Sequence, residues 1–346
     1  MEQPILRLGL IGFATPVHTA LGEWLARDVD GWPQWKIAPF DKADAWFING
    51  RSITNFDKHS LTIETGLRAQ PWVRVTVAEM SRPIAFAGKT PSALDVLEQV
   101  DLSDDNSLRK QLQNFEAWLR PLRAQFALGA DLVEREAELR PSIYQVTLSG
   151  RLLAVIDLFK WRAGILPTAR PVDFSQGVWD RRPPLAGSIP PSFIAMPVAQ
   201  LMWIYATRTR RDVLPQRYRK HKIHLRRVPR LPINWLYDEH LLLLRELRAR
   251  AHTLKTLREI TGIDEPRLAR HLAPLYYAGA ITTDPRKAGS AGKFRQAEAE
   301  PSVPGLNSVP ARQGLESEFA NQTGFGLDNS RYLTDEDLTA PVPLRH

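Results

Sequence analysis

Short apolar runs separated by polar breaks fill the first 90 positions: Arg7–Phe13, Trp35–Phe40, Ala45–Ile48, Leu61–Glu64, Val73–Ala78 and Pro83–Ala87. Runs of this length between turn residues predict strands. Between the first two, Val17, Ala20, Leu21, Trp24 and Leu25 recur at helical spacing, with Thr15 as the expected N-cap and Pro16 at the first helical position. The pattern predicts an α/β domain. The stretch EMSRP between the last two runs is too short for a parallel crossover, so a hairpin is expected there. Thr90 and Pro91 should open a further helix, running to about Val100. Beyond it, Leu108, Leu112, Phe115, Leu119, Leu122 and Phe126 form a heptad-like seam that Pro121 should kink. Packing of that seam on the sheet is the leading expectation, and a homodimer formed through it is the alternative.

After Pro141 the texture changes. YQVTLSGRLLAVIDL alternates like a strand and then becomes wholly apolar, a Pro- and Gly-rich stretch follows, and FIAMPVAQLMWIYATRT reads as one buried helix entered through a proline. From Tyr237 the punctuation is clear. DEHLLLLRELRAR is an amphipathic helix with acids in its first turn and arginines in its last. Thr253 caps LKTLREI, TGID makes a turn, Asp264 caps a third helix that Gly279 ends, and AITT gives a strand. Leu254, Leu257, Ile260, Ile263, Leu268, Leu272, Leu275 and Ala278 are the positions a helix-turn-helix must bury. From about Gly289 periodicity is lost and a disordered tail is expected, with RYLTDEDLTAPVPL as a possible docking segment.

Charge changes this picture because it is uneven. Met1 to Gly150 holds 16 Lys and Arg against 19 Asp and Glu, whereas Arg208 to Arg230 holds 10 against 1. That island alternates basic and apolar residues in KIHLRRV, as a strand with one cationic face would. A polyanion is the partner it suits, by neutralising phosphates; a cyclic dinucleotide is a further anion its arginines could hold.

Two stretches resemble known families. The run TLKTLREITGIDEPRLARHLAPLYYAGAITTD closely resembles the winged helix-turn-helix of the MarR and ArsR bacterial regulators, over about fifty of the 346 residues. The resemblance implies double-stranded DNA as partner, with the third helix in the major groove. Carried across by position, Glu265, Arg267, Arg270 and His271 face base edges, and Arg267, Arg270 and His271 are the expected base contacts. Phosphate contacts are expected from Arg217, Arg219, Lys220, Lys222, Arg226 and Arg227 in the island and from Arg286 and Lys287 past the wing strand. Asp264, Glu265 and Pro274 weigh against this reading. The N-terminal region is similar to a receiver domain of the CheY type: DAWFING sits where the phosphoacceptor strand ends, and AFAGKTP resembles the late Lys-x-Pro neighbourhood. The phosphoacceptor position is Asn49, and GFATP stands where the Mg²⁺-holding acids belong, so phosphotransfer is not expected.

Cofactor and catalytic motifs are missing. A dinucleotide fingerprint from Gly12 fails at Ala14 and Val17, and GKT at Gly88 to Thr90 lacks the earlier glycine of a phosphate loop. His221 and His224 lie in a cationic run that would repel a metal. With no cysteine, thiol chemistry is excluded. No cofactor and no enzyme activity are expected. Ser192–Ala206 is too short and interrupted to span a membrane, and MEQPILRL lacks the features of a signal peptide, which leads to the expectation of a cytoplasmic protein.

The chain is therefore expected to comprise a flavodoxin-like or receiver-like α/β domain of mixed sheet over 1–140, a small α+β module over 141–207, and a basic connecting segment over 208–230. A winged helix-turn-helix over 231–287 and a disordered tail over 288–346 complete it. The expected role is a DNA-binding transcriptional regulator whose N-terminal domain meets a protein partner. The alternative is a signalling adaptor with both folded ends binding proteins.

Overall fold

Five parallel strands make the first sheet of the computed structural model, which describes residues 2–27, 32–57, 60–67, 70–76, 82–91, 98–183 and 189–289. In chain order the elements are β1 (Ile5–Ile11), α1 (Thr15–Leu25), β2 (Gln34–Ile37), β3 (Ala45–Asn49), β4 (Ile53–Phe56), β5 (Ser60–Leu67), β6 (Gln70–Thr76), β7 (Ile84–Ala87) and β8 (Gln99–Val100). The parallel sheet runs β2-β1-β3-β7-β8, and β4-β5-β6 form a separate antiparallel sheet. One face of the parallel sheet packs Leu6, Leu8 and Phe47 against Leu21 and Leu25 of α1. The other packs Ile11, Trp46 and Ile48 against Leu61, Ile63, Val73 and Val75 of the small sheet. Burial on both faces is what a parallel sheet requires.

The hairpin expected across EMSRP does not form. β6 pairs with β5 and β7 pairs in parallel with β3, so the whole β4–β6 excursion serves as the crossover between two parallel neighbours. Two local expectations also need correction. Thr15 is the first helical residue rather than the cap, which falls on Ala14. The helix expected from Thr90 to Val100 ends in strand β8, and 92–97 lie outside the described residues.

Helices α2 (Asp105–Trp118) and α3 (Arg120–Glu134) follow, and the expected single long helix is broken at Leu119, just before Pro121. Asp104 caps α2 by accepting from the backbone of Asn106 and Ser107. The seam is spent inside the unit. Leu108, Leu112 and Phe115 join the parallel-sheet core, with the Phe115 ring 5.5 Å from that of Phe47, while Phe126 lies 5.2 Å from Tyr205 in the next layer.

That layer is an antiparallel sheet with α3 and two further helices. Its elements are β9 (Ile143–Leu148), β10 (Arg151–Asp157), β11 (Arg162–Ile165), α4 (Pro171–Ser175), β12 (Val178–Arg181), β13 (Ile194–Pro197) and α5 (Val198–Arg208), with strand order β12-β9-β10-β11-β13. YQVTLSGRLLAVIDL is thus two strands. Ser149 and Gly150 have φ of 49° and 79°, the two positive values a tight hairpin turn needs. FIAMP is likewise strand rather than helix, and α5 starts only at Val198. Helix α3 packs on α4 and α5, so the boundary expected at 140 falls inside a single compact unit, Met1–Arg211 with Pro232–Trp235. The end of α5 is held to the first sheet by Arg208, which forms a two-pronged ion pair with Asp44 at 2.6 and 2.6 Å, both side chains 9% exposed.

The second unit holds Asp212–Leu231 and the chain from Leu236 on. It contains α6 (Arg217–Lys220), β14 (His224–Leu225), α7 (Asp238–Ala249), α8 (Leu254–Thr261), α9 (Glu265–Tyr277) and β15 (Ile281–Thr282). The predicted caps are present: Thr253 Oγ1 accepts from Thr256 N, Gly262 adopts a left-handed φ of 68°, and Asp264 accepts from Arg267 N. Helix α9 continues through Pro274, and Ile260, expected in the core, is 42% exposed. The basic segment is no linker. Leu214, Tyr218 and Ile223 are buried in this unit, β14 pairs antiparallel with β15, and Ile223 bridges His252 between α7 and α8. The tail from 290, with its docking segment, lies outside the described residues. No helix among the described residues is long and apolar enough to cross a membrane.

Candidate nucleic-acid interface

Over 212–231 and 236–289 the second unit carries 16 Lys and Arg against 8 Asp and Glu, a net of +8, which equals that of the entire chain. Strand β15 finds its partner in the basic segment, and the chain after it turns into a short 3₁₀ helix, Pro285–Lys287. Gly289 N then donates to Leu225 O at 2.9 Å. A Cβ on Gly289 would sit 2.2 Å from Arg226 O, so only glycine permits that closure. The basic segment is thereby clamped from both sides.

Helix α6 packs on α8, and its Arg217 and Tyr218 side chains reach Tyr276 at the end of α9. Tyr218 Oη donates to Ile281 O at 3.1 Å, and burial pushes that phenol up to about 12. Its ring is 5.1 Å from that of Tyr276. Arg217 is exposed, stands 5.4 and 5.5 Å from the Tyr276 and Tyr218 rings, and donates to Tyr276 Oη at 3.2 Å. Such stacking leaves an outer edge of the guanidinium for a phosphate. Arg219 behaves otherwise. It pairs with Glu265 at 3.0 Å and also with Asp212, and its side chain is 20% exposed. Arg219, expected as a phosphate contact, thus has its charge engaged within the unit, against Asp212 and the acid at the start of α9.

On α9 the three expected base contacts separate. Arg270 is exposed and has no ion pair among the described residues. Arg267 is exposed but lies 3.3 Å from Glu239 Oε1. His271 is largely covered and engaged within the unit. Its side chain is 19% exposed, its Nδ1 is 3.3 Å from His240 Nε2, and its Nε2 is 4.0 Å from Glu239. Burial pushes the His271 pKa down, Arg267 and Arg270 push the same way, and Glu239 opposes them. Protons in this network have a direction. Tyr237 N donates to His240 Nδ1 at 3.1 Å, so neutral His240 carries its hydrogen on Nε2 and donates to His271 Nδ1. The proton of His271 then sits on Nε2, toward Glu239.

Lys220, Lys222, Arg286 and Lys287 are exposed, as their expected phosphate role requires. Arg226 and Arg227 are half-buried, and their backbone amides donate to Ala280 O. Past His271 the third helix closes to solvent: Leu272 to Tyr277 are all buried. Sequence reasoning missed Glu239, His240, Asp212 and Tyr276, which set the state of the expected contacts. Glu239 and His240 read as an ordinary helix start, and nothing in the sequence couples them to residues about thirty positions on.

In the first unit, Asn49 is the last residue of β3. Its Nδ2 donates to Gly12 O at 2.8 Å, and Ser52 Oγ donates to the same oxygen at 2.9 Å. Gly12 has φ 79°, and a Cβ there would meet Ser52 Cβ at 2.6 Å. The gap between the ends of β1 and β3 is filled by the chain's own side chains. No family model, curated protein or solved structure matches this chain.

Proposed function

We propose that this chain is a non-enzymatic regulator that binds duplex DNA through its C-terminal unit, chiefly by phosphate contact. Arg270, and Arg267 once released from Glu239, supply a short base readout. The observation that carries this reading is the coincidence of the whole net charge with the unit holding the helix-turn-helix, and with Lys220, Lys222, Arg270, Arg286 and Lys287 exposed on it. Arg219 removes the main electrostatic objection by neutralising Glu265 at the groove-facing end of α9. In this reading the α8–turn–α9 pair is a winged helix-turn-helix with its wing strand paired to the preceding basic segment. The parallel sheet, in order second-first-third-fourth-fifth, follows flavodoxin-like winding. That unit meets a protein partner and carries no phosphotransfer, since an amide at Asn49 donates to Gly12 O where a carboxylate could not.

The test is binding of the full chain to labelled duplexes across a range of salt concentrations. About five phosphate contacts predict a slope of log affinity against log salt near −4 to −5. Lys220→Ala with Lys222→Ala should flatten that slope by about 2, whereas Arg270→Ala should relax sequence preference while leaving most of the affinity. A second reading, a winged helix that docks proteins, draws on the exposed apolar side chains of Val228 and Ile260. Absence of binding at low salt would select it.

A further inference from the structure

A cavity of about 70 Å³ opens in the first unit where the end of α1, the edge strand β2 and helix α2 meet. Trp24, Trp32 and Trp35 line it with Leu25, Pro33 and Leu112, and Arg27 and Arg109 stand among its lining residues. Three of the chain's ten tryptophans converge on this one small cavity: Trp35 and Trp24 reach it from the core of the sheet, and Trp32 reaches it from the surface. We propose that this cavity binds a flat aromatic carboxylate, its ring between the indoles and its acid group on Arg109.

Charge decides the class of guest. The cavity's carboxylate, Glu116, is already engaged: Oε1 accepts from Trp35 Nε1 at 3.1 Å, and Oε2 lies 3.8 Å from Arg123. Arg27 is held loosely, 3.8 Å from Asp105 with both side chains exposed. Arg109 is exposed and has no ion pair among the described residues. Indole faces alone would also attract a cation, but two guanidinium groups in the same lining repel one. They suit instead a carboxylate, which a guanidinium holds through two parallel hydrogen bonds. The apolar walls supply affinity by offset stacking and area burial. Trp32, 36% exposed, forms a wall that can be removed without opening the core.

The experiment uses the full chain and three probes of one shape: 2-naphthoate, 2-naphthalenemethanol and 2-naphthylmethylamine. Calorimetric titration gives affinities, and indole N–H shifts in a ¹⁵N-labelled sample locate binding. The acid should bind at least tenfold tighter than the alcohol, with the amine weakest and the shifts confined to a few indoles. Arg109→Gln should erase the preference for acid over alcohol, and Trp32→Ala should weaken both. Circular dichroism should match the unsubstituted chain for each variant. The proposal is overturned if the amine binds best, if acid and alcohol bind equally to the native chain, if no probe binds at millimolar concentration, or if neither substitution changes the acid's affinity. The outcome is independent of DNA binding, which the second unit carries.

Discussion

The two units use arginine in opposite ways. In the first, Arg208 is buried against Asp44, donates to Ile5 O, and ties the end of α5 to the first sheet. In the second, Lys220, Lys222, Arg270, Arg286 and Lys287 face solvent, and Arg217 is stacked on two tyrosines. Both kinds belong to one stretch of sequence, since the basic island begins at Arg208 and its later residues build the second unit. Charge density along a chain therefore measures how many cations exist, while burial decides how many remain for a polyanion. Among the eleven cationic or imidazole contacts expected, Arg219, Arg267 and His271 are engaged by acidic or imidazole neighbours of the same unit.

The sharpest way to break this contrast is to strip the partner from the buried arginine. Asp44→Ala leaves Arg208 as an uncompensated buried charge and also removes the acceptor of Arg7 N. Loss of one member of a buried pair costs about 3–5 kcal/mol, so the first unit should lose that much stability in urea, followed by tryptophan fluorescence. Removal of an exposed cation such as Lys222 should move the same curve hardly at all. Equal effects would mean that the Arg208 pair is as solvated as the surface charges.

A smaller effect is expected from acid, with opposite sign in the two units. His271 and His252 have pKa values lowered by burial, so the unfolded second unit takes up protons near pH 6.5 before the folded one does. Its stability is complete above that pH and is lost as pH falls below it. In the first unit, burial pushes Asp131 up to about 6 and raises Glu116, so the folded state holds protons that the unfolded state binds only near pH 4. That contribution favours folding increasingly between pH 6 and 4. Calorimetric scans at pH 7.5, 6.5 and 5.5 should show the transition of the second unit moving down relative to that of the first. A protonated His271 would also need a hydrogen on Nδ1, facing the hydrogen of His240 Nε2. Parallel movement of both transitions would contradict the assignment.

Local grammar was legible in the sequence; pairing was not. Thr253, Gly262, Asp264 and Gly279 punctuate α8 and α9 as read, because a cap or a left-handed turn is decided by a few neighbouring residues. Strands β1, β3 and β7 of the first sheet were found within about two residues for the same reason, whereas β2 ends three residues before the run that marked it and β8 was read as helix. The error at EMSRP came from assuming that successive strands pair, when β4–β6 had to leave the sheet to cover its second face. The Ser149–Gly150 turn was signalled by its dipeptide but masked by continuous apolarity on both sides. For the candidate interface, residue types were legible and their availability was not. Glu265 and Arg219 are 46 positions apart, and only the fold makes one cancel the other.

That pair gives the finest test of the comparison, and the smallest in stability. With Arg219 20% and Glu265 49% exposed, its loss should cost the fold only about 0.5–1 kcal/mol. Two roles for Arg219 predict different DNA behaviour. A phosphate contact would make Arg219→Ala flatten the salt slope by about 1, whatever stands at 265. A neutralising role would make Arg219→Ala weaken binding because Glu265 is laid bare beside the phosphates, and Glu265→Gln in the same chain would restore it. Glu265→Gln alone, leaving Arg219 with only Asp212, should then bind slightly tighter than the native chain. The geometry favours the second pattern, since both terminal nitrogens of Arg219 already face carboxylates. Failure of the double substitution to recover affinity would return Arg219 to the phosphate-binding set, and with it the view that the basic island acts as one exposed strip.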